Sequence, residues 1–109
     1  MIKVYQIQLT NDEVDAINRG EQSPKSKAYF GRSFDRLFKP EFFEHYEHVA
    51  TVDATNMEDV FRLMNLWEDE SKVKCFGRCS SMSVGDILEM DGKFYRCASF
   101  GFEDLNWSR

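Results

Sequence analysis

The stretch SMSVGDILEMDGKFYRC, residues 81–97, decides how the last third of this chain folds. Its centre, Asp91-Gly92, lies between two apolar-rich runs and is a strong β-hairpin signal, because a type I′ turn requires positive φ at both central residues. We therefore expect two antiparallel strands here. Counting outward from the turn predicts the cross-strand pairs Met90–Lys93, Glu89–Phe94, Leu88–Tyr95, Ile87–Arg96 and Asp86–Cys97.

The same stretch holds residue types that a catalytic site could use. Ser81 or Ser83 with a histidine and Asp86 could be written as a triad, but no nucleophile elbow surrounds either serine. Gly85 is expected to allow the bend into the strand, and Asp86 to accept hydrogen bonds from nearby backbone amides. Neither G-x-G-x-x-G nor the Walker pattern occurs. We therefore expect scaffolding here, and a protein that is not an enzyme.

A strand followed by a capped helix occurs twice before this hairpin. IKVYQIQL (2–9) alternates with period two, and Thr10 with Glu13 forms a capping-box pattern for a helix from Asn11 to about Arg19 that stops at Gly20. HVATVDA (48–54) predicts a second strand, and Thr55 with Glu58 repeats the capping box. The apolar face predicted for this second helix consists of Met57, Val60, Phe61, Met64 and Trp67.

The segment between these two units is the least regular. QSPKSK (22–27) is a loop by composition, and four phenylalanines follow at spacings of four: Phe30, Phe34, Phe38 and Phe42. Gly31 and Pro40 interrupt that spacing, which predicts short helical turns that form an aromatic flap over one edge of the sheet. EDESKVK (68–74) is expected to be a polar connection.

These elements predict one α+β domain over residues 1–109. The expected order is β-α-(irregular aromatic flap)-β-α-β-β, with the helices packed on one face of a small mixed or antiparallel sheet. At 109 residues and 42% hydrophobic content, the chain has enough apolar side chains for a core without metal ions or disulfides.

Histidine and cysteine spacing gives little support for a cofactor or metal. The chain has C-x₃-C at Cys75 and Cys79, H-x₂-H at His45 and His48, and a further Cys97, but the paired spacing of a structural zinc site is absent. A cysteine nucleophile would need a nearby histidine that nothing in the spacing enforces. Three cysteines, an odd number, favour reduced thiols, and with no apolar run near ~18 residues we expect a cytoplasmic protein without a membrane span.

Charge is distributed unevenly along the chain. The net charge of −5 makes nucleic acid an unlikely partner, since backbone phosphates require a basic face. Residues 19–39 carry six basic and two acidic side chains, whereas residues 41–70 carry nine acidic and one basic. An acidic and aromatic surface that binds a partner protein is the hypothesis we retain. Its candidate residues are Glu44, Glu47, Asp53, Glu58, Asp59, Glu68, Asp69, Glu70, Tyr29, Phe30, Phe34, Trp67 and Trp107.

The C-terminal third, SSMSVGDILEMDGKFYRCASFGF, resembles a signature of small proteins of bacteriophages and integrative elements, related to the YodL-like domain. The matching residues are Ser81, Ser83, Val84, Gly85, Asp86, the Asp91-Gly92 turn, Tyr95 and Gly101-Phe102. KVYQIQLTNDEVDAIN and HVATVDATNMEDVF also look like parts of such proteins. The resemblance implies a small accessory protein of a mobile element and attaches no activity to any residue.

Together these observations predict a non-catalytic phage or mobile-element protein that binds and modulates a host protein in the host cytoplasm. An inhibitor of a defence nuclease or another nucleic-acid enzyme fits the acidic surface, because a carboxylate patch can compete for a basic groove. A homodimer is compatible with this prediction. The alternative is a small nucleic-acid-binding module that uses the basic and aromatic segment 25–39.

Overall fold

The computed structural model describes residues 1–34, 40–66, 69–98 and 100–106. Within them the α+β class is confirmed, and the sheet is antiparallel with strand order β3-β2-β1-β4-β5-β6. The helices of the described residues are α1 Asn11–Asn18, α2 Pro24–Phe34 and α3 Met57–Leu66, with 3₁₀ helices at Pro40–His45 and Glu70–Lys72. The strands are β1 Ile2–Gln6, β2 Glu47–Val52, β3 Val73–Cys75, β4 Ile87–Met90, β5 Lys93–Cys97 and β6 Phe102–Asp104.

The predicted hairpin forms β4 and β5. The four pairs from Met90–Lys93 to Ile87–Arg96 are confirmed. Asp91 and Gly92 have φ of 54° and 78°, as a type I′ turn requires. At the far end the ladder becomes irregular, because the Cys97 amide donates to the Asp86 carbonyl while its own carbonyl accepts from the Gly85 amide.

One of the two predicted helix caps is confirmed and the other is displaced by one residue. At α1 the Thr10 hydroxyl accepts from the Glu13 amide, and the Glu13 carboxylate accepts from the Thr10 amide. At α3 the prediction of Thr55 with Glu58 is wrong, because the amide oxygen of Asn56 accepts from the Asp59 backbone at 2.9 Å. Asparagine is as good an N-cap as threonine, so the sequence offered two adjacent starts.

The prediction that residues 22–34 lack a continuous helix is wrong. α2 begins at Pro24, where the missing amide proton of proline costs no helical hydrogen bond. Ser23 and Ser26 cap it reciprocally, each hydroxyl accepting from the other residue's amide. The helix continues through Gly31, since one helical glycine costs only about 1 kcal/mol. Phe38 lies outside the described residues.

Two short strands were missed by the sequence prediction. β3 lies in the stretch expected to be a polar connection and pairs with the end of β2, Val73 opposite Val52. β6 pairs with β5, Phe102 opposite Cys97. Each has three residues, too few for an alternating pattern to stand out. They are the two edge strands of the sheet.

Apolar side chains pack on both faces of the sheet. On the first face, called the α3 face, three buried residues of α3 (Val60, Leu63 and Met64) join a cluster that includes Ile2, Val4, Val52 and Leu88. The prediction that Phe61 belongs to this core is wrong, because its side chain is 43% exposed. On the opposite face, called the far face, Phe43 of the 3₁₀ helix packs with Tyr5, Ile87 and Phe94.

The expectation that all cysteines are reduced is wrong for two of them. Cys75 and Cys79 form a disulfide, with their Cα atoms 6.0 Å apart. Gly77, at φ 84°, reverses the chain between them and brings the two side chains together. Cys97 is the free cysteine and is buried. In the part of the chain described, no helix is long and apolar enough to cross a membrane.

Candidate interaction surface

An open cleft of about 320 Å³ lies between α3 and the turn that joins β5 to β6. We call it the phenylalanine cleft. Three of its lining residues are phenylalanines, one is acidic, and the buried thiol of Cys97 is also part of its wall. Its residues are Glu58, Phe61, Cys97, Ala98, Phe100, Gly101 and Phe102.

The β5–β6 turn displays Phe100 at its tip. The Ala98 amide donates to the Gly101 carbonyl at 3.0 Å, and Gly101 has φ of 73°, so the chain reverses within four residues. This conformation leaves Phe100 97% exposed, next to a half-exposed Phe61 and a partly buried Phe102 in the wall of the same cleft. A fully exposed phenylalanine beside an apolar cleft is typical of a protein-interaction site.

The predicted acidic residues do not gather in one patch. Glu47 begins β2 and Asp53 directly follows its last residue, so the two are six residues apart and about 20 Å from each other along the extended chain. Glu44 lies near the Glu47 end, in the 3₁₀ helix Pro40–His45. Asp69 and Glu70 lie near the Asp53 end, because the Asp53 amide donates to the Lys72 carbonyl. Glu68 lies outside the described residues.

The two acidic residues of α3 occupy its first turn, where carboxylates are favoured by the helix dipole. Asp59 is engaged with Arg62, 3.1 Å away, as well as with its own N-cap. Glu58 is exposed and lines the phenylalanine cleft. Of the described acidic residues on our candidate list, Glu58 is the one that this cleft brings next to exposed aromatic rings.

The predicted aromatic contacts lie on α2, away from this cleft. Tyr29 and Phe30 make an edge-on ring contact, with their centroids 5.4 Å apart. Phe30 is 48% exposed and lines a groove between α1 and α2 together with Ile17. The side chain of Phe34 is not among those described, and Trp67 and Trp107 lie outside the described residues.

In the basic segment 25–39, the two lysines whose side chains are described both lie near carboxylates. The ammonium group of Lys25 is 2.9 Å from the Glu13 carboxylate. Lys27 is exposed but shares a groove with Glu41 and Glu44. Residues 35–39 lie outside those described. The described part of the segment therefore gives no added support to phosphate binding.

The residues that looked catalytic have structural roles. The Asp86 side chain is 2% exposed, and its carboxylate accepts from the Ser83 amide at 2.9 Å and from the Gln6 side chain at 3.0 Å. Burial, followed by the nearby negative charge of Asp86, raises the pKa of the Cys97 thiol to about 11, against a smaller opposite effect of Arg96. A thiol that stays protonated at neutral pH is a poor nucleophile.

The histidines do not form a metal site with the cysteines. His45 lies 3.3 Å from Glu44, while the His48 ring contacts the rings of Tyr5 and Phe76. No three His, Cys, Asp or Glu side chains of the described residues are arranged to hold a metal ion. The side chains brought together by this fold are suited to contact and hydrogen bonding.

Comparison with known proteins adds no assignment: no family model, curated protein or solved structure matches the chain. The cleft must therefore be interpreted from its own geometry. Sequence reasoning missed Phe61, Phe100 and Phe102 as contact residues, since it placed Phe61 in the core and assigned no element to residues 98–102. The Phe-Gly pair at 100–101 was the one local signal, because glycine after an apolar residue marks a turn that can present it.

Proposed function

We propose that this protein is a non-catalytic interaction module that binds another protein through the phenylalanine cleft. One observation carries the proposal: Phe100 is 97% exposed at a turn tip beside the half-exposed Phe61. Burying one such ring contributes about 2 kcal/mol or more to association. Aromatic anchors at the centre of a contact commonly dominate its binding energy.

The chemistry of the cleft indicates what kind of partner surface fits. The three phenylalanine rings favour an apolar side chain, and Glu58 at the rim favours a lysine or arginine beside it. The predicted acidic contact surface is thereby restricted to the acidic residues of α3, of which Glu58 is the first. A basic partner such as a nucleic-acid enzyme matches this arrangement, because its groove carries the opposite charge.

The resemblance to phage and mobile-element proteins supplies the biological part of the proposal. On that basis the partner is a host protein, the effect is modulation of a defence nuclease or similar enzyme, and the site of action is the host cytoplasm. The Cys75–Cys79 disulfide is the feature that opposes a cytoplasmic location, because disulfides are rare there. The loop between the two cysteines is also held by two hydrogen bonds. The Phe76 amide donates to the Val49 carbonyl, and the Gln8 side chain donates to the Arg78 carbonyl.

The proposal is tested by quantitative affinity capture from the host, followed by binding measurements with the purified partner. Phe100→Ser and Glu58→Lys should each weaken binding at least tenfold. Phe76→Ser is the matched control, since Phe76 is 47% exposed and is not part of the cleft. Phe30→Ser tests the α2 surface predicted from the sequence. Equal binding by wild type and Phe100→Ser would refute the cleft as the contact.

The alternative nucleic-acid function is separated in the same experiment. Capture that disappears after nuclease treatment, together with a band shift of short DNA or RNA that weakens steeply with salt, would favour nucleic acid. The protein-binding proposal expects capture to resist nuclease and no band shift at low salt.

A further inference from the structure

The two edge strands of the sheet, β3 and β6, are complementary to each other, whereas neither is complementary to a second copy of itself. We propose that the β3 edge of one copy of this chain pairs with the β6 edge of a second copy, extending the antiparallel sheet from molecule to molecule. This inference concerns self-association through backbone groups and does not rest on the proposed partner binding, although Phe102 belongs to both the β6 edge and the phenylalanine cleft. No strand of the described residues pairs with the outer side of either edge.

The hydrogen-bonding groups of β3 that point outward belong to Val73 and Cys75. The Phe76 amide donates to the Val49 carbonyl, and the Asp53 amide donates to the Lys72 carbonyl. In an antiparallel ladder these bonds recur at every second residue, so Lys72, Lys74 and Phe76 direct their backbone groups toward β2. Val73 and Cys75, which lie between them, direct theirs away from the sheet, where the Val73 amide already donates to the Glu70 carbonyl.

The same reasoning applies to β6. The Ala98 amide donates to the Gly101 carbonyl and the Leu105 amide donates to the Phe94 carbonyl. Residues 101, 103 and 105 therefore face β5, and Phe102 and Asp104 direct their backbone groups outward. Antiparallel pairing of Phe102 with Cys75 and of Asp104 with Val73 of the next copy satisfies these outward groups, apart from the Val73 amide, which is already bonded to the Glu70 carbonyl.

Charge selects this pairing over the alternatives. Lys74 is the central residue of β3, and Glu103 is the central residue of β6. Both side chains lie on the far face, because residues directly opposite each other in a sheet point to the same face. Lys74 pairs with Thr51, and Thr51 pairs with Lys3. Glu103 pairs with Arg96, and Arg96 pairs with Ile87, which is part of the far face. In the proposed register Lys74 and Glu103 are directly opposite, with Cβ atoms about 5 Å apart. Pairing β3 with β3, or β6 with β6, in the equivalent register would place two like charges there.

Strand direction also agrees. Six strands that alternate in direction leave β3 and β6 antiparallel, so a second copy in the same orientation continues the alternation and keeps each face on its own side. The contact is head-to-tail, and head-to-tail contacts produce rings or open chains instead of closed dimers. Three-residue edges predict weak association that depends on concentration and salt.

Sedimentation of the wild type at low salt, from about 10 µM to about 1 mM, tests the inference over the range of weak interfaces. We expect species larger than dimers that dissociate on dilution. Lys74→Glu alone and Glu103→Lys alone should be monomeric over the range, because each places like charges at the contact. An equimolar mixture of these two variants should assemble again, since both of its mixed contacts carry opposite charges.

A second measurement does not depend on variants. Amide exchange of the wild type should slow with rising concentration at Cys75, Phe102 and Asp104, whose amides point outward, while the other amides keep their rates. A wild type that stays monomeric over the range with no such slowing would overturn the inference. So would variants that each assemble like the wild type, or a mixture that stays monomeric although both variants are folded.

Discussion

Gln6 and Asp86, 80 positions apart in the chain, are joined by a buried hydrogen bond of 3.0 Å between Nε2 and Oδ2. Gln6 also makes a two-point contact with the Ser80 backbone, donating to its carbonyl at 3.0 Å and accepting from its amide at 3.1 Å. The side chain at the end of β1 therefore holds the loop that leads into the β4–β5 hairpin. These contacts give the serine- and aspartate-rich stretch a structural anchor on β1.

The Gln6 contact predicts a large effect of one substitution. Gln6→Ala removes three hydrogen bonds of a buried amide, one of them to the buried Asp86 carboxylate, so we expect a loss of about 2–3 kcal/mol in unfolding free energy. Chemical denaturation measures it. Gln8→Ala is the control, because its bond to the Arg78 carbonyl is exposed and should contribute less than about 1 kcal/mol. Similar small losses for both variants would contradict the assigned role.

Glycine substitutions are expected to have opposite signs at two positions. Gly92 has φ of 78° in the hairpin turn, so Gly92→Ala should destabilise the protein by about 1–2 kcal/mol. Gly31 lies inside α2, where an added Cβ meets nothing within 4 Å. Gly31→Ala should therefore stabilise by about 0.5–1 kcal/mol. Thermal melting of both variants distinguishes them, and a shift in the same direction would show that one backbone assignment is wrong.

The capping box of α1 predicts a dependence on pH. The hydrogen bond from the Thr10 amide, followed by the contact with Lys25, holds the pKa of Glu13 below its ordinary value of 4.5. A carboxylate whose pKa is lowered by folding stabilises the fold above the unfolded pKa, and that contribution is lost as pH falls through the folded value. Glu13→Gln should therefore be less stable than wild type at pH 7 by roughly 0.5–1 kcal/mol.

The stability difference between wild type and Glu13→Gln should shrink once pH falls below 4.5. Denaturation curves across this range check it. Glu21→Gln is the control, because its ion pair with Arg19 is well exposed on both sides and should give little difference at any pH. A difference for Glu13→Gln that stays constant down to acidic pH would exclude the charge of Glu13 as the cause.

The sequence predicted the elements whose information is local. The Asp91-Gly92 turn and the Thr10–Glu13 cap each need only a few neighbouring residues, and both are confirmed. The edge strands β3 and β6 could not be predicted in this way, because a three-residue strand exists only through its partner. The odd number of cysteines predicted reduced thiols, which is wrong for a similar reason: the pairing of Cys75 with Cys79 depends on the chain reversal at Gly77.

The candidate site was less predictable than the fold. Which phenylalanines are exposed depends on tertiary packing: Phe43 is buried against Tyr5, while Phe61 is half exposed although it follows the apolar pattern of α3. Acidic residues that are close in sequence separate in space, because Glu47 begins β2 and Asp53 follows its last residue, Val52. Composition and spacing contain neither of these facts.

Thiol titration tests the cysteine arrangement as a whole. Cys97 is 2% exposed and burial raises its pKa to about 11, so Ellman's reagent should react slowly with the native protein even at pH 9. Denaturation without reductant should expose one thiol, and denaturation with reductant three, because Cys75 and Cys79 are joined. Cys97→Ala is the control and should give no thiol before reduction. Rapid reaction of two or three thiols in the unreduced native protein would contradict both the disulfide and the burial of Cys97.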